Sequence, residues 1–177
     1  LDELVAGKRH GSAITGERRS SEPARTAFLF SGQGRAWWPF DGELLADPVI
    51  SAVLRTCDSE LREIADFSLL DLIRSGAAVM DHERAQPLLF SLQVALAARW
   101  RSYGVEPDLI VGQSIGEIAA AHVAGALPLA DALEVVLHRG RLMEESNGTG
   151  HTACVELPAG EVSAMIEELG LDVTVAA

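Results

Sequence analysis

The chain has 177 residues, 48% of them hydrophobic and 23% charged, the composition of one packed globular domain rather than of a disordered segment. With 26 acidic against 14 basic residues its net charge is −12, which excludes nucleic acid and anionic membrane surfaces as natural partners. No apolar run approaches the roughly 20 residues that cross a bilayer, and Leu1-Asp2-Glu3 is unlike a signal peptide. Two cysteines, Cys57 and Cys154, make neither a disulfide framework nor a zinc site, so a cytoplasmic protein without a metal is expected. The basic residues are 13 Arg and one Lys, a usage that points to a GC-rich bacterial genome.

Residues 1–25 carry Lys8, Arg9, Arg18, Arg19 and Arg25 without sustained apolar periodicity, and read as a solvated tail or a packed inter-domain linker. The missing initiator Met fits a piece of a longer polypeptide. Thr26 to Ser31 is a short apolar run closed by Gly32-Gln33-Gly34, the pattern of a buried strand and a tight loop. Helices are predicted from about Pro48 to Ile64, near Leu69 to Arg74, and from Pro87 to Tyr103, the last with Leu88, Leu89, Leu92, Ala95, Leu96 and Trp100 at helical spacing. Asp108 to Gly112 is a second buried strand, followed by a small-residue helix through Val123 and an amphipathic helix from Leu129 to about Glu145. After the polar break 146–150, the pattern predicts a strand (Thr152 to Leu157), a helix (Gly160 to Leu169) and a strand (Asp172 to Ala176). The class is therefore α/β, with a second small unit that starts and does not finish.

The sharpest chemical signal is Gly112-Gln113-Ser114-Ile115-Gly116, lying between the second strand and its helix. A serine at such a turn takes a strained backbone conformation, and glycine two residues on either side lets neighbouring chain approach. The turn exposes the hydroxyl and places the next backbone N–H, with the helix N-terminus, where an oxyanion would form.

Together, Phe30-Ser31-Gly32-Gln33-Gly34, the segment 112–131 (GQSIGEIAAAHVAGALPLAD), Gln86 to Leu96 (QPLLFSLQVAL) and Arg139 to Met143 (RGRLM) resemble the acyltransferase domain of type I polyketide synthases and the related malonyl transferases. The resemblance implies a hydrolase-like subdomain with a parallel sheet over 26–148 and the beginning of a small ferredoxin-like subdomain over 149–177. It implies that 1–25 is the end of the linker from a preceding ketosynthase. It makes Ser114 the nucleophile that takes an acyl group from coenzyme A, and Gln33 and Ile115 the two backbone N–H donors of the oxyanion hole. Arg139, 25 residues beyond Ser114, becomes the partner of a malonyl-type carboxylate, a role for which a guanidinium fork is well suited. By its residues alone, Arg139 reads as a helix C-terminal arginine set against the macrodipole. Gln86 matches a pocket residue, or is simply the polar residue before Pro87. The acceptor would be the phosphopantetheine thiol of an acyl carrier protein, with no bound cofactor.

Two departures from the family stand out. Gln113 replaces the usual histidine before the nucleophile; it keeps a donor and an acceptor near the substrate but takes up no proton. The family's catalytic histidine lies well beyond the elbow, and no histidine here matches it. His10 is in the linker, His82 in a polar loop, His138 beside Arg139, and His151 opens the small unit. His122 lies two turns along the elbow helix, about 12 Å from Ser114. The expectation is an acyltransferase piece inactive by itself, with a serine hydrolase or a non-catalytic structural fragment as alternatives. Ile115 and the Gln86-Pro87 segment resemble malonyl-selecting members, because a branched side chain lining the acyl pocket would crowd an α-methyl group.

Overall fold

The computed structural model describes residues 24–34, 42–150 and 152–176. Most of the predicted linker, together with His10 and His151, lies outside the described residues. In chain order the elements are β1 (Ala27–Phe30), a 3₁₀ turn (Gly42–Ala46), α1 (Pro48–Leu61), α2 (Leu69–Ser75), α3 (His82–Ser102), β2 (Leu109–Gly112), α4 (Ile115–Val123), α5 (Leu129–Glu145) and α6 (Ala159–Leu169).

β1 and β2 pair in parallel, Ala27 opposite Leu109 and Phe30 opposite Gly112. Asp108 anchors the pair at its start, its carboxylate accepting from the Thr26 N–H at 2.7 Å. The alternation of a strand then sorts the side chains. Phe28, Phe30 and Ile110 face the helices, whereas Leu29, Leu109 and Val111 lie on the outer face and are exposed.

Local signals set the helix starts. Asp47 caps α1, its carboxylate accepting from the Val49 and Ile50 N–H groups at 2.9 and 3.0 Å, with Pro48 at the first helical position. Ile50, Leu54, Cys57 and Leu61 then fall on one buried face. Ser68 caps α2, and Gly76 ends it in the left-handed region at φ 62°. The buried Asp58 is satisfied by the Ser68 hydroxyl at 2.8 Å and the Leu70 N–H at 3.3 Å.

α3 departs from expectation in two ways. It begins at His82, not Pro87, because Asp81 is an effective N-cap that accepts from the Arg84 N–H at 2.9 Å. Pro87 is carried inside the helix, where it forfeits one bond near the start of the element. The helix also buries more than one stripe: Phe90, Val94 and Ala97 are buried beside Leu88, Leu89 and Ala95, since α1, α4 and α5 all pack on it. His82 is therefore helical rather than in a loop, and Gln86 lies one turn inside the helix.

The pieces predicted as strands at 152–157 and 172–176 have no strand structure. A strand exists only through its ladder, and no described neighbour pairs with either segment. Between them α6 forms as expected, one residue longer at its start, with no buried residue. Among the described residues, no helix is long and apolar enough to cross a membrane.

Candidate active site

Ser114 closes β2 and caps α4 with φ 55° and ψ −120°, and is the one non-glycine among the described residues with a positive φ. The elbow is held in this conformation by close backbone contacts. A Cβ on Gly116 would lie 2.2 Å from the Phe30 carbonyl oxygen, and one on Gly112 would lie 2.3 Å from that of Gly116. The helix start is thus pressed against the end of β1, and only glycine fits. The Ser114 N–H donates to Glu117 Oε1 at 3.0 Å, fixing the turn from the helix side. The spacing Ser-x-x-Glu was a readable signal for this contact.

The loop after β1 lies directly beside the elbow: a Cβ on Gly32 would meet Ser114 Cβ at 3.6 Å and Gln113 Oε1 at 3.8 Å. Gln113 itself is exposed there, its N–H bonded to the Phe30 carbonyl at 2.9 Å. Among the described residues, the N–H groups of Gln33 and Ile115 have no hydrogen-bond partner. The Ile115 side chain is fully buried in the core, so it cannot line an acyl pocket, and the expectation that it crowds an α-methyl group is overturned. On an amphipathic helix, the position after an exposed cap turns inward to the core.

Arg139 reaches this centre from α5. Its Nη2 donates to Ser114 Oγ at 2.8 Å, and its Nη1 donates to the carboxamide oxygen of Gln86. Two features of α5 deliver it. Gly140 lets the helix touch α3 at the backbone, a Cβ there falling 2.5 Å from the His82 carbonyl oxygen. Arg141 and Glu144 then fasten the crossing, to Glu83 at 2.7 Å and to the His82 N–H at 2.9 Å. The guanidinium therefore points into the elbow, not along the α5 macrodipole.

Gln86 is fully buried, and its Nε2 donates to Gln33 Oε1 at 2.5 Å. The same oxygen meets His82 Nδ1 at 3.3 Å. Farther along α3, Gln93 Nε2 donates to the Ser31 carbonyl at 2.8 Å. Sequence reasoning missed His82 and Gln93. Their signal was the spacing of 82, 86 and 93, which puts all three on one face of a helix that starts at Asp81.

The other described histidines are engaged elsewhere. His122 Nδ1 lies 2.9 Å from the Leu127 carbonyl, and His138 Nε2 lies 3.8 Å from Glu134. Among the described residues, Ser114 Oγ thus has a cation as its hydrogen-bond partner and no base. The arrangement can hold a negative charge in two ways: as a developing oxyanion at the free N–H groups beside the α4 N-terminus, and as a carboxylate at Arg139.

Comparison with known proteins places the chain in a family. The sequence model of the acyl transferase domain family matches residues 27–177. Erythronolide synthase EryA2 of Saccharopolyspora erythraea is 43% identical over 161 residues, which cover 89% of this chain and 4% of that protein. The acyltransferase domain of the polyketide synthase PpsC of Mycobacterium tuberculosis superposes with a TM-score of 0.75 at 42% identity, over 81% of this chain and 44% of that one. A malonyl-transacylase solved in complex with a type II polyketide synthase acyl-carrier protein has a TM-score of 0.56 at 29% identity, over 70% of this chain and 40% of the other. The chain spans less than half of each of these relatives. With its elbow serine, glycine loop and converging arginine, it belongs to the acyltransferase domains of type I polyketide synthases.

Proposed function

We propose that this chain carries the nucleophile and the carboxylate-binding side of an acyltransferase that moves a malonyl-type group from coenzyme A to the phosphopantetheine thiol of an acyl carrier protein. The observation that carries the reading is the 2.8 Å contact from Arg139 Nη2 to Ser114 Oγ. In a malonyl thioester a single methylene separates the carboxylate from the reacting carbonyl. A cation that binds this carboxylate must therefore sit within a few ångströms of the nucleophile, where Arg139 is. A simple esterase has no use for such a cation.

In the first half-reaction Ser114 Oγ attacks the thioester carbonyl, and the N–H groups of Gln33 and Ile115 hold the oxyanion. The C–S bond breaks, the coenzyme A thiolate leaves with the serine proton, and an acyl-Ser114 ester remains. The carrier thiol then attacks the ester and regenerates Ser114 by the reverse proton movement. The proton acceptor is assigned to chain outside the described residues, because His82, His122 and His138 are all engaged elsewhere. Inactivity of residues 1–177 alone is part of the same reading and rests on the family pattern, whose catalytic histidine no histidine of this sequence matches. Gln113, exposed beside the loop, faces the incoming acyl group. In the same reading, residues 1–25 end a linker from a ketosynthase and 149–177 begin a small ferredoxin-like subdomain.

The test is mass analysis of the Ser114 peptide after the synthase polypeptide carrying this sequence is exposed to malonyl-CoA. The expected result is a malonyl ester on Ser114, absent in Ser114→Ala and discharged by holo carrier protein. Free malonate with no carrier loading would establish a hydrolase instead.

A further inference from the structure

We propose that His82 is a positioning residue for the oxyanion loop, acting through the side chain of Gln33; this rests on the acyl-transfer reading above. The directions of the hydrogen bonds follow from one fixed point. Arg139 can only donate, so the Gln86 atom facing it is the carboxamide oxygen. Gln86 therefore turns its NH₂ toward Gln33, and the atom it meets there is Oε1. His82 Nδ1, 3.3 Å from that same oxygen, must then carry a proton and donate. One oxygen atom of the loop is thus held by two donors set one helical turn apart on α3.

The anchor is itself rigid. The His82 carbonyl lies against Gly140 of α5, and its N–H is bonded to Glu144. Gln93 holds the same loop at the Ser31 carbonyl, so the α3 face grips it at both ends. Between these grips lies Gly32, where a Cβ would meet Ser114 Cβ at 3.6 Å, and next to it the Gln33 N–H, which has no partner among the described residues. An oxyanion donor is effective only when it is fixed before charge develops. Loosening the loop therefore slows the chemical step equally for any acyl group, whereas loosening Arg139 affects carboxylated ones most.

Two measurements test this. In long-range ¹H–¹⁵N spectra of this chain, at a pH where the ring is neutral, His82 is expected as the Nδ1–H tautomer, and Gln33→Ala is expected to release that preference. An Nε2–H tautomer would overturn the proposal. In the synthase polypeptide, His82→Ala is expected to lower kcat of Ser114 acylation about five- to tenfold, equally for malonyl- and acetyl-CoA and with KM unchanged, the loss of one hydrogen bond. His82→Asn, whose NH₂ takes the place of Nδ1–H, is expected to recover the rate to within about twofold. A wild-type rate in His82→Ala, no rescue by Asn, or a loss confined to KM for malonyl-CoA would each refute the role. Absence of any acyl group on Ser114 in the unsubstituted protein would instead sink the acyl-transfer reading, and the tautomer would still decide whether the bond exists.

Discussion

Replacing Arg139 with Ala removes two hydrogen bonds with different consequences. In the proposed reading, the bond to Ser114 Oγ and the charge behind it serve the substrate, while the bond to Gln86 also holds the fold. Breaking a desolvated ion pair costs about 3–5 kcal/mol, and because Arg139 is half-buried the lower end applies. That predicts a fall in kcat/KM for malonyl-CoA of about a hundredfold. Acetyl-CoA brings no carboxylate, so its loss is limited to the neutral contact at Ser114, within about tenfold. Separately, the Gln86 oxygen is left buried without its donor, a stability cost of about 1–3 kcal/mol that a thermal melt reports independently of rate. Arg139→Lys keeps the charge but loses the fork, and is expected to fall between the two. The assay is the initial rate of Ser114 acylation with each coenzyme A ester in the synthase polypeptide. Equal losses for malonyl and acetyl groups would refute the carboxylate assignment.

Gly140→Ala places a methyl group 2.5 Å from the His82 carbonyl, so α5 must move away from α3. The expected result is a destabilisation of about 1–3 kcal/mol in denaturant titration, with malonyl acylation falling more than stability alone predicts. Burial pushes the Cys57 thiol from its usual 9.0 up to about 11. The raised value means that its contribution, about 2–3 kcal/mol, is fully present below pH 9 and is lost as pH rises toward 11. Cys57→Ala should flatten the alkaline stability profile. In the native protein at neutral pH, thiol reagents should modify the exposed Cys154 and spare Cys57.

What could be read in advance was whatever local chemistry decides. The two strands, the elbow and the α5 helix follow from short apolar runs, flanking glycines and helical spacing, and each lies within a residue or two of its expected place. Ser114 and Arg139 meet as the family pattern implies. The errors arose where tertiary packing outweighed a local rule. Pro87 is a helix start by local rule, but α3 begins five residues earlier at His82, behind its cap Asp81, and the packed helix tolerates the missing N–H. Ile115 looked like a pocket residue because it adjoins the nucleophile, yet the helix turns it into the core. For the same reason His82 reads as a loop residue in the sequence and is helical in the structure. The tail segments alternate like strands but have no ladder to join.

The bond between Arg139 and Ser114 has a directional consequence. A guanidinium has no lone pair to offer, so the serine oxygen is the acceptor in this contact and one of its lone pairs is already taken. The hydroxyl hydrogen must then point away from the guanidinium. In the proposed mechanism, the group that takes the Ser114 proton would therefore approach on the side of the hydrogen and not through the guanidinium. The contact thus narrows the directions from which a proton acceptor can reach the serine.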